Sequence, residues 1–393
     1  MQNKSKIPAF LINTMIVLYF LYMHLFNYLS DELRIKFAGI ILVSQAVSTV
    51  FSLVFKMSRY GFLLLSILFF ITLLSTLYPI IFQTHGEYDY ASIARVMLSL
   101  FFAIHVACFP DRINNKLLLF LAYGTLVFGA FWVVANPSII FVGSERLAVF
   151  TGGGNAVQAS SSVLTLCLII SHQLFVKKEI KPAFFYPILI SSIVIIYLYK
   201  VSAVYLLVGF YFGGFLFLKT KNITYRALMV LAGIVFIGTV LVHHEMRDNH
   251  SITNLATLGN GRIMAYIERF DMLTNSDITS LIFGAGPGSD ITNSYTWSAM
   301  IAGHSDFLAI LTEYGIVGLI LFSFFFGIII KRVNYKHAIP LFCGLFASSF
   351  ITVGFIYRPA TFPFFWMAVG IAMQQTMRAK KITENPVNSI AER

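Results

Sequence analysis

Twelve long apolar runs dominate this sequence of 393 residues and leave little of the chain for any other structure. A helix needs roughly 20 apolar residues to cross the hydrocarbon core of a bilayer, about 30 Å thick, and each run meets or approaches that length. We therefore predict twelve transmembrane helices in one polytopic membrane domain, residues 1–393. The predicted spans are 8–28, 37–55, 61–83, 92–109, 117–136, 157–176, 183–199, 201–218, 227–243, 312–330, 338–356 and 359–377.

The spans are predicted to be helices, so the fold class is an all-α integral membrane protein. Strands of a membrane barrel alternate apolar and polar residues over about 10 positions, whereas the run from Phe62 to Phe82 does not alternate. Only 11% of the residues are charged, against about a quarter in soluble domains. The first run follows Lys4 and Lys6 but has no small-x-small cleavage site, so we expect it to be retained as a helix.

The basic residues predict the orientation of the chain in the membrane. Most of the 28 basic residues fall in alternate loops and at the two termini, and such residues favour the cytoplasmic side. Both termini are then cytoplasmic, and the longest polar segment, residues 244–311, is a large loop on the outer face. The net charge of +11 is explained by this topology, so no nucleic-acid partner is predicted.

The large outer loop contains a predicted amphipathic helix that starts at Arg262. Its apolar residues recur at helical spacing up to Leu273. Arg262, Tyr266 and Arg269 fall on one face because they are spaced at i, i+4 and i+7. Two guanidinium groups on one face suit a diphosphate, since arginine presents a planar fork of donors. An ordinary solvated face, or one that binds lipid headgroups, is the alternative interpretation.

Two further features follow in the same loop. The segment Phe283-Gly-Ala-Gly-Pro-Gly288 lacks the ending of a phosphate-binding P-loop and is predicted to be a tight turn, with approach of its backbone to a phosphate as the alternative. After it, Ser305 or Asp306 can cap the next helix. His304 then lies just outside a helix amino terminus, where it can accept a proton from a sugar hydroxyl near neutral pH. An isolated loop histidine can equally be structural.

Other polar residues lie near the predicted outer ends of the helices. Arg146 and Asn155 flank a glycine-rich segment, and Lys200 lies between the seventh and eighth spans. An ionisable residue at such a depth is costly and suggests a function, although a lysine can also extend its amine to the interface. Arg95 and Arg358 could line the same site. The three cysteines, at positions 108, 167 and 343, show no pairing or metal-binding pattern and are interpreted as core residues.

Taken in order, these segments resemble the O-antigen polymerase and ligase superfamily across residues 140 to 330. Two departures accompany the likeness. The family often has Asn after the loop histidine, where this chain has Ser305, and Lys200-Val-Ser202-Ala replaces a Ser-Arg-Gly-like element. The matching elements are Arg146-x-x-x-Phe150 with Asn155, Gly261-Arg262 before a helix, Phe283-Gly-x-Gly-x-Gly, His304-x-x-x-Leu308 and Tyr314-Gly-Ile-Val-Gly318.

The resemblance implies a C-type glycosyltransferase fold in the bacterial inner membrane, without metal or other cofactor. The donor substrate is then an oligosaccharide linked to undecaprenyl diphosphate, and a chain-length regulator and a flippase are the expected protein partners. His304 and Arg262 are the expected catalytic residues. The expected substrate-binding residues are Arg146, Arg269, Lys200, Tyr266 and Asn155.

The preferred function is an O-antigen polymerase, and two alternatives stay open. An O-antigen ligase, which joins finished polymer to lipid A–core, shares the implied fold and donor. A transporter or flippase of this size often has two similar halves and broken helices at the membrane midplane, whereas the two halves of this chain differ.

Overall fold

The computed structural model describes residues 6–25, 31–55, 59–82, 90–136, 141–142, 146–147, 156–247, 262–292, 305–351 and 361–384. Within these ranges the chain is helical apart from short connections and one antiparallel pair of two-residue strands, Phe141–Val142 (β1) and Arg146–Leu147 (β2). The helices are α1 Lys6–Leu25, α2 Asp31–Phe55, α3 Arg59–Phe82, α4 Tyr90–Cys108, α5 Asn115–Ala135, α6 Ala156–Val176, α7 Pro182–Tyr199, α8 Ser202–Lys219, α9 Ile223–Arg247, α10 Arg262–Asn275, α11 Ile278–Phe283, α12 Ser289–Thr292, α13 Asp306–Ile330, α14 Tyr335–Ile351 and α15 Phe362–Glu384.

Long apolar helices make this a helical membrane protein. Among the described residues, seven helices are long and apolar enough to cross a bilayer, and they lie within α1, α2, α5, α6, α7, α8 and α13. Shorter apolar segments lie in α3, α4 and α9. Within the described residues, each of the twelve apolar runs overlaps one helix, and the three remaining helices, α10 to α12, lie in the predicted outer loop.

Two helices form the centre of the bundle. Most side chains of α6 are buried, and this helix packs against α5, α7, α8 and α15. In α15 the four consecutive residues Phe364, Phe365, Trp366 and Met367 are all buried. A helix that is buried all round has no lipid-facing stripe, so α6 and α15 are internal supports for the outer elements.

The closest helix pair is α8 with α14, and two glycines allow the approach. A Cβ atom on Gly214 would lie 3.3 Å from the Cα of Pro340, and one on Gly344 would lie 3.0 Å from the carbonyl oxygen of Leu207. Membrane helices associate through such small residues because the backbones can then come into contact.

Polar contacts at one end of the bundle join loops that are distant in sequence. The Gln374 side-chain amide donates to the carbonyl oxygens of Pro110, at 2.6 Å, and Ile113, at 3.1 Å. Lys177 donates to the Gln374 side-chain oxygen at 2.6 Å, and Arg332 donates to the Ala107 carbonyl at 2.9 Å. The loops that follow α4, α6 and α13 therefore share one end, as the alternation of basic loops predicts.

Candidate functional site

Residues 262–292 form three short helices that pack on the first half of α13. We call α10, α11 and α12 together the outer layer. The amino terminus of α11 is capped by Asp277, whose carboxylate accepts a hydrogen bond from the Ser280 backbone N–H at 2.6 Å. This bond lowers the pKa of the Asp277 carboxyl group.

The outer layer is joined to α13 where that helix is broken. Gly315 has φ 65° and ψ −167°, so the regular hydrogen-bond pattern of α13 stops there. The Ala285 N–H donates to the Thr312 carbonyl at 2.8 Å, and the Gly286 N–H donates to the Glu313 carbonyl at 3.1 Å. The break therefore frees two carbonyl groups, and the glycine-rich turn satisfies them.

The glycine-rich segment is a tight turn, which confirms the prediction made from the sequence. Gly284, Gly286 and Gly288 all have positive φ, at 91°, 99° and 87°. A Cβ atom on Gly284 would overlap the backbone of Glu313, and one on Gly315 would overlap the carbonyl of Ile282. The turn contacts protein backbone through the N–H groups of residues 285 and 286, so those two groups are not directed at a phosphate.

The predicted helix from Arg262 to Leu273 is confirmed as α10, Arg262–Asn275, with its charged side directed inward. Arg269 is 1% exposed and Tyr266 is half-buried, whereas the apolar side chains of Ile267 and Phe270 are exposed. Arg262 is the first residue of α10, two turns before Arg269 on the same side of the helix.

Arg269 is held by two carboxylates. Its Nε donates to Oδ1 of Asp290 at 2.8 Å, and its Nη1 donates to Oε2 of Glu268 at 3.0 Å. Its Nη2 donates to the backbone carbonyl of Asp290. All three side chains are 1–2% exposed. The charge predicted to bind a diphosphate is thus neutralised inside the protein, and this contact joins α10 to α12.

Arg146 and Lys200 belong to a second group of elements. Arg146 begins β2, where it pairs with Val142, and β2 lies against α7. Lys200 ends α7 with φ 51°, and its N–H donates to the Tyr197 carbonyl at 3.2 Å. The structure therefore brings the strand that carries Arg146 against the helix that ends at Lys200. This group is connected to the outer layer through three helices: α7 packs on α8, α8 packs on α14, and α14 packs on α13, which contacts the outer layer.

The residues after the outer layer are described from Ser305 onward. Ser305 caps α13, and its side chain accepts a hydrogen bond from the Leu308 N–H at 3.4 Å, as predicted. His304 precedes this cap, and both His304 and Asn155 lie outside the described residues. Arg358 also lies outside them.

Sequence reasoning missed the buried acidic residues of this region. Glu268, Asp290, Asp306 and Glu313 are at most 3% exposed, although acidic side chains are seldom fully buried unless they are paired. The available signal was their position: Asp290 follows a glycine turn, and Glu268, Asp306 and Glu313 each adjoin an apolar residue. The site thus contains carboxylates as well as arginines.

No protein-family model matches this chain, and no curated protein is significantly similar to it.

Proposed function

We propose that this protein is an O-antigen polymerase, a metal-independent glycosyltransferase of the bacterial inner membrane. It transfers a glycan from undecaprenyl diphosphate to a new lipid-linked repeat unit on the periplasmic face. The proposal includes twelve transmembrane helices, cytoplasmic termini and a periplasmic loop at residues 244–311.

One observation carries the proposal: a layer of short helices, with Arg262 at its start, is fixed to a broken helix that enters the apolar bundle. A reaction on a lipid-linked sugar needs polar groups held rigidly beside the membrane, because the lipid tail stays in the bilayer while the sugar lies outside. Functional residues on loops are effective when a rigid scaffold positions them.

The proposed chemistry is the displacement of a lipid diphosphate. The acceptor hydroxyl oxygen forms a bond to the anomeric carbon, the bond from that carbon to the diphosphate oxygen breaks, and the hydroxyl proton passes to His304. Negative charge grows on the departing diphosphate, so fixed positive charge directed at it lowers the barrier. Arg262, Arg146 and Lys200 are assigned this role, and Tyr266 and Asn155 are assigned contacts with the glycan.

The first test is replacement of the two catalytic residues. We expect Arg262→Ala and His304→Ala each to lower polymer formation by about 100-fold or more, since removal of a single charge-stabilising or acid–base group costs on this order. Membrane insertion should be unchanged. Arg59→Ala, at the exposed start of α3, is the matched control and should keep wild-type activity. Full-length polymer in either catalytic variant would refute the assignment.

Deletion of the gene separates polymerase from ligase. Loss of a polymerase leaves lipopolysaccharide with core plus one repeat unit on a gel. Bare core, with polymer still attached to undecaprenyl diphosphate, would assign the protein to the ligases. Substrate uptake by proteoliposomes without elongation of glycan would instead indicate a transporter.

A further inference from the structure

The contact between Arg269 and its two carboxylates is more elaborate than a short surface helix requires. Three nitrogens of one guanidinium group reach Glu268 and Asp290, and all three residues are almost completely buried. Burying such charges is costly, and an apolar contact of the same volume is often as stable. The ionic contact instead fixes the relative orientation of its partners, because the planar guanidinium fork can donate to carboxylates in only a few orientations.

This contact is one link in a continuous series from the membrane to Arg262. The second half of α13 is inserted in the apolar bundle, and the glycine turn is hydrogen-bonded to the break in α13. Asp290 lies two residues after Gly288, the last residue of that turn, and Arg269 joins it to α10. Since α10 is a regular helix, its first residue, Arg262, is placed by this series.

We propose that Arg269, Glu268 and Asp290 form a positioning cluster that fixes α10, and with it Arg262, against α13. This inference rests on the proposed function for the role of Arg262, and it replaces direct diphosphate binding as the role of Arg269. Arg269 is a positioning residue, and Asp290, the carboxylate on α12, is its partner between the two helices, while Glu268 holds the guanidinium group from within α10.

The two possible roles of Arg269 predict different effects of Asp290→Asn on kcat and on the donor KM. If Arg269 bound the diphosphate directly, removal of a competing negative charge would leave the donor KM unchanged or lower it. If Arg269 positions α10, both Arg269→Ala and Asp290→Asn should lower kcat by about 100-fold, the order of loss that a displacement of about 1 Å causes. The donor KM should stay within about threefold of the wild type. The double variant should lose little more than either single variant, because both remove one contact.

A second readout needs no substrate. Hydrogen exchange of the α10 amides in the purified full-length protein should rise at least about tenfold in Arg269→Ala and in Asp290→Asn, since each removes the buried ionic contact between α10 and α12. Amides of residues 316–330 in α13 should be unaffected. Asp271→Asn is the matched control, because Asp271 is an exposed carboxylate on the same helix, and it should behave like the wild type in both measurements.

Arg269→Lys tests the fork geometry. It keeps the charge but cannot bond to both carboxylates in the same way, so we expect α10 exchange close to that of Arg269→Ala. If the single variants do not fold, the triple variant with Glu268→Gln, Arg269→Met and Asp290→Leu removes all three charges together and can be measured by exchange.

Unchanged exchange in α10, or a lower donor KM for Asp290→Asn with normal kcat, would overturn the positioning role. Failure of the wild-type protein to elongate glycan would refute the proposed function alone, since the exchange measurement does not depend on it.

Discussion

Two positions at the base of the outer layer require glycine for two reasons: their backbone conformation is left-handed, and neighbouring backbone leaves no room for a Cβ atom. Gly284 and Gly315 both have positive φ, and each lies against the main chain of the other's segment. A side chain at either position would meet carbonyl groups, which cannot move aside as the end of a flexible side chain can. The junction between the turn and the broken helix is thus determined at the level of single atoms.

Gly284→Ala should destabilise the protein by about 1–3 kcal/mol from backbone strain alone, with a further cost from overlap with Glu313. Gly327→Ala is the matched control, because a Cβ atom there meets nothing within 4 Å and alanine favours a helix by about 0.5–1 kcal/mol. Thermal unfolding in detergent measures both. Equal stability of the two variants would contradict the described junction.

At the scale of helices, polar contacts inside the bundle specify which helices pair. His105 on α4 is completely buried and contacts α2: Gln45 donates to its Nδ1 at 3.3 Å, and its Nε2 lies 3.0 Å from the Ser52 hydroxyl. Thr49 donates to the Phe101 carbonyl at 3.3 Å. Between apolar surfaces that lipid could also cover, such hydrogen bonds favour one partner and one register.

Ser52→Ala should therefore lower the free energy of unfolding by about 0.6 kcal/mol and by no more than ~1.7 kcal/mol, the range found for hydrogen bonds between membrane helices. Ser66→Ala is the comparison, since the hydroxyl of the half-buried Ser66 donates to the Phe62 carbonyl of its own helix at 2.9 Å, and its loss should cost less. The measurement is unfolding of the detergent-solubilised protein. A larger loss for Ser66→Ala would disprove the pairing role of His105.

The helices were predictable from the sequence, whereas their connections were not. Apolar runs near 20 residues long predict helices because the backbone must satisfy its own hydrogen bonds in lipid, and every predicted run overlaps a helix in the described part of the chain. The glycine turn, the Ser305 cap and the helix at Arg262 were likewise predictable from local chemistry. The break at Gly315 and the burial of Arg269 depend on residues 20 or more positions away, which no local pattern contains.

At the scale of the whole molecule, the basic loops after α4, α6 and α13 lie together at one end of the bundle. The outer layer lies at the start of α13, which is the opposite end of that helix. If positive charges face the cytoplasm, the outer layer faces the periplasm. The proposed chemistry requires this arrangement, because the lipid-linked repeat units are joined there.

The orientation can be tested with single cysteines introduced into a variant that lacks the three native ones. In spheroplasts, a membrane-impermeant maleimide should label Asn275→Cys at the end of α10, whereas Lys221→Cys, between α8 and α9, should be labelled only after permeabilisation. Both positions are exposed. The reverse labelling pattern would place the outer layer in the cytosol and rule out the polymerase.

The break at Gly315 also changes the electrostatics of α13. An unbroken helix would carry one macrodipole, with its positive end at Asp306, but the interruption starts a second dipole at Ile316. In sequence, the buried Glu313 lies two residues before the break. A negative charge at the amino terminus of a helix gains about 0.3–1 kcal/mol, so the interruption gives α13 a second position that favours negative charge.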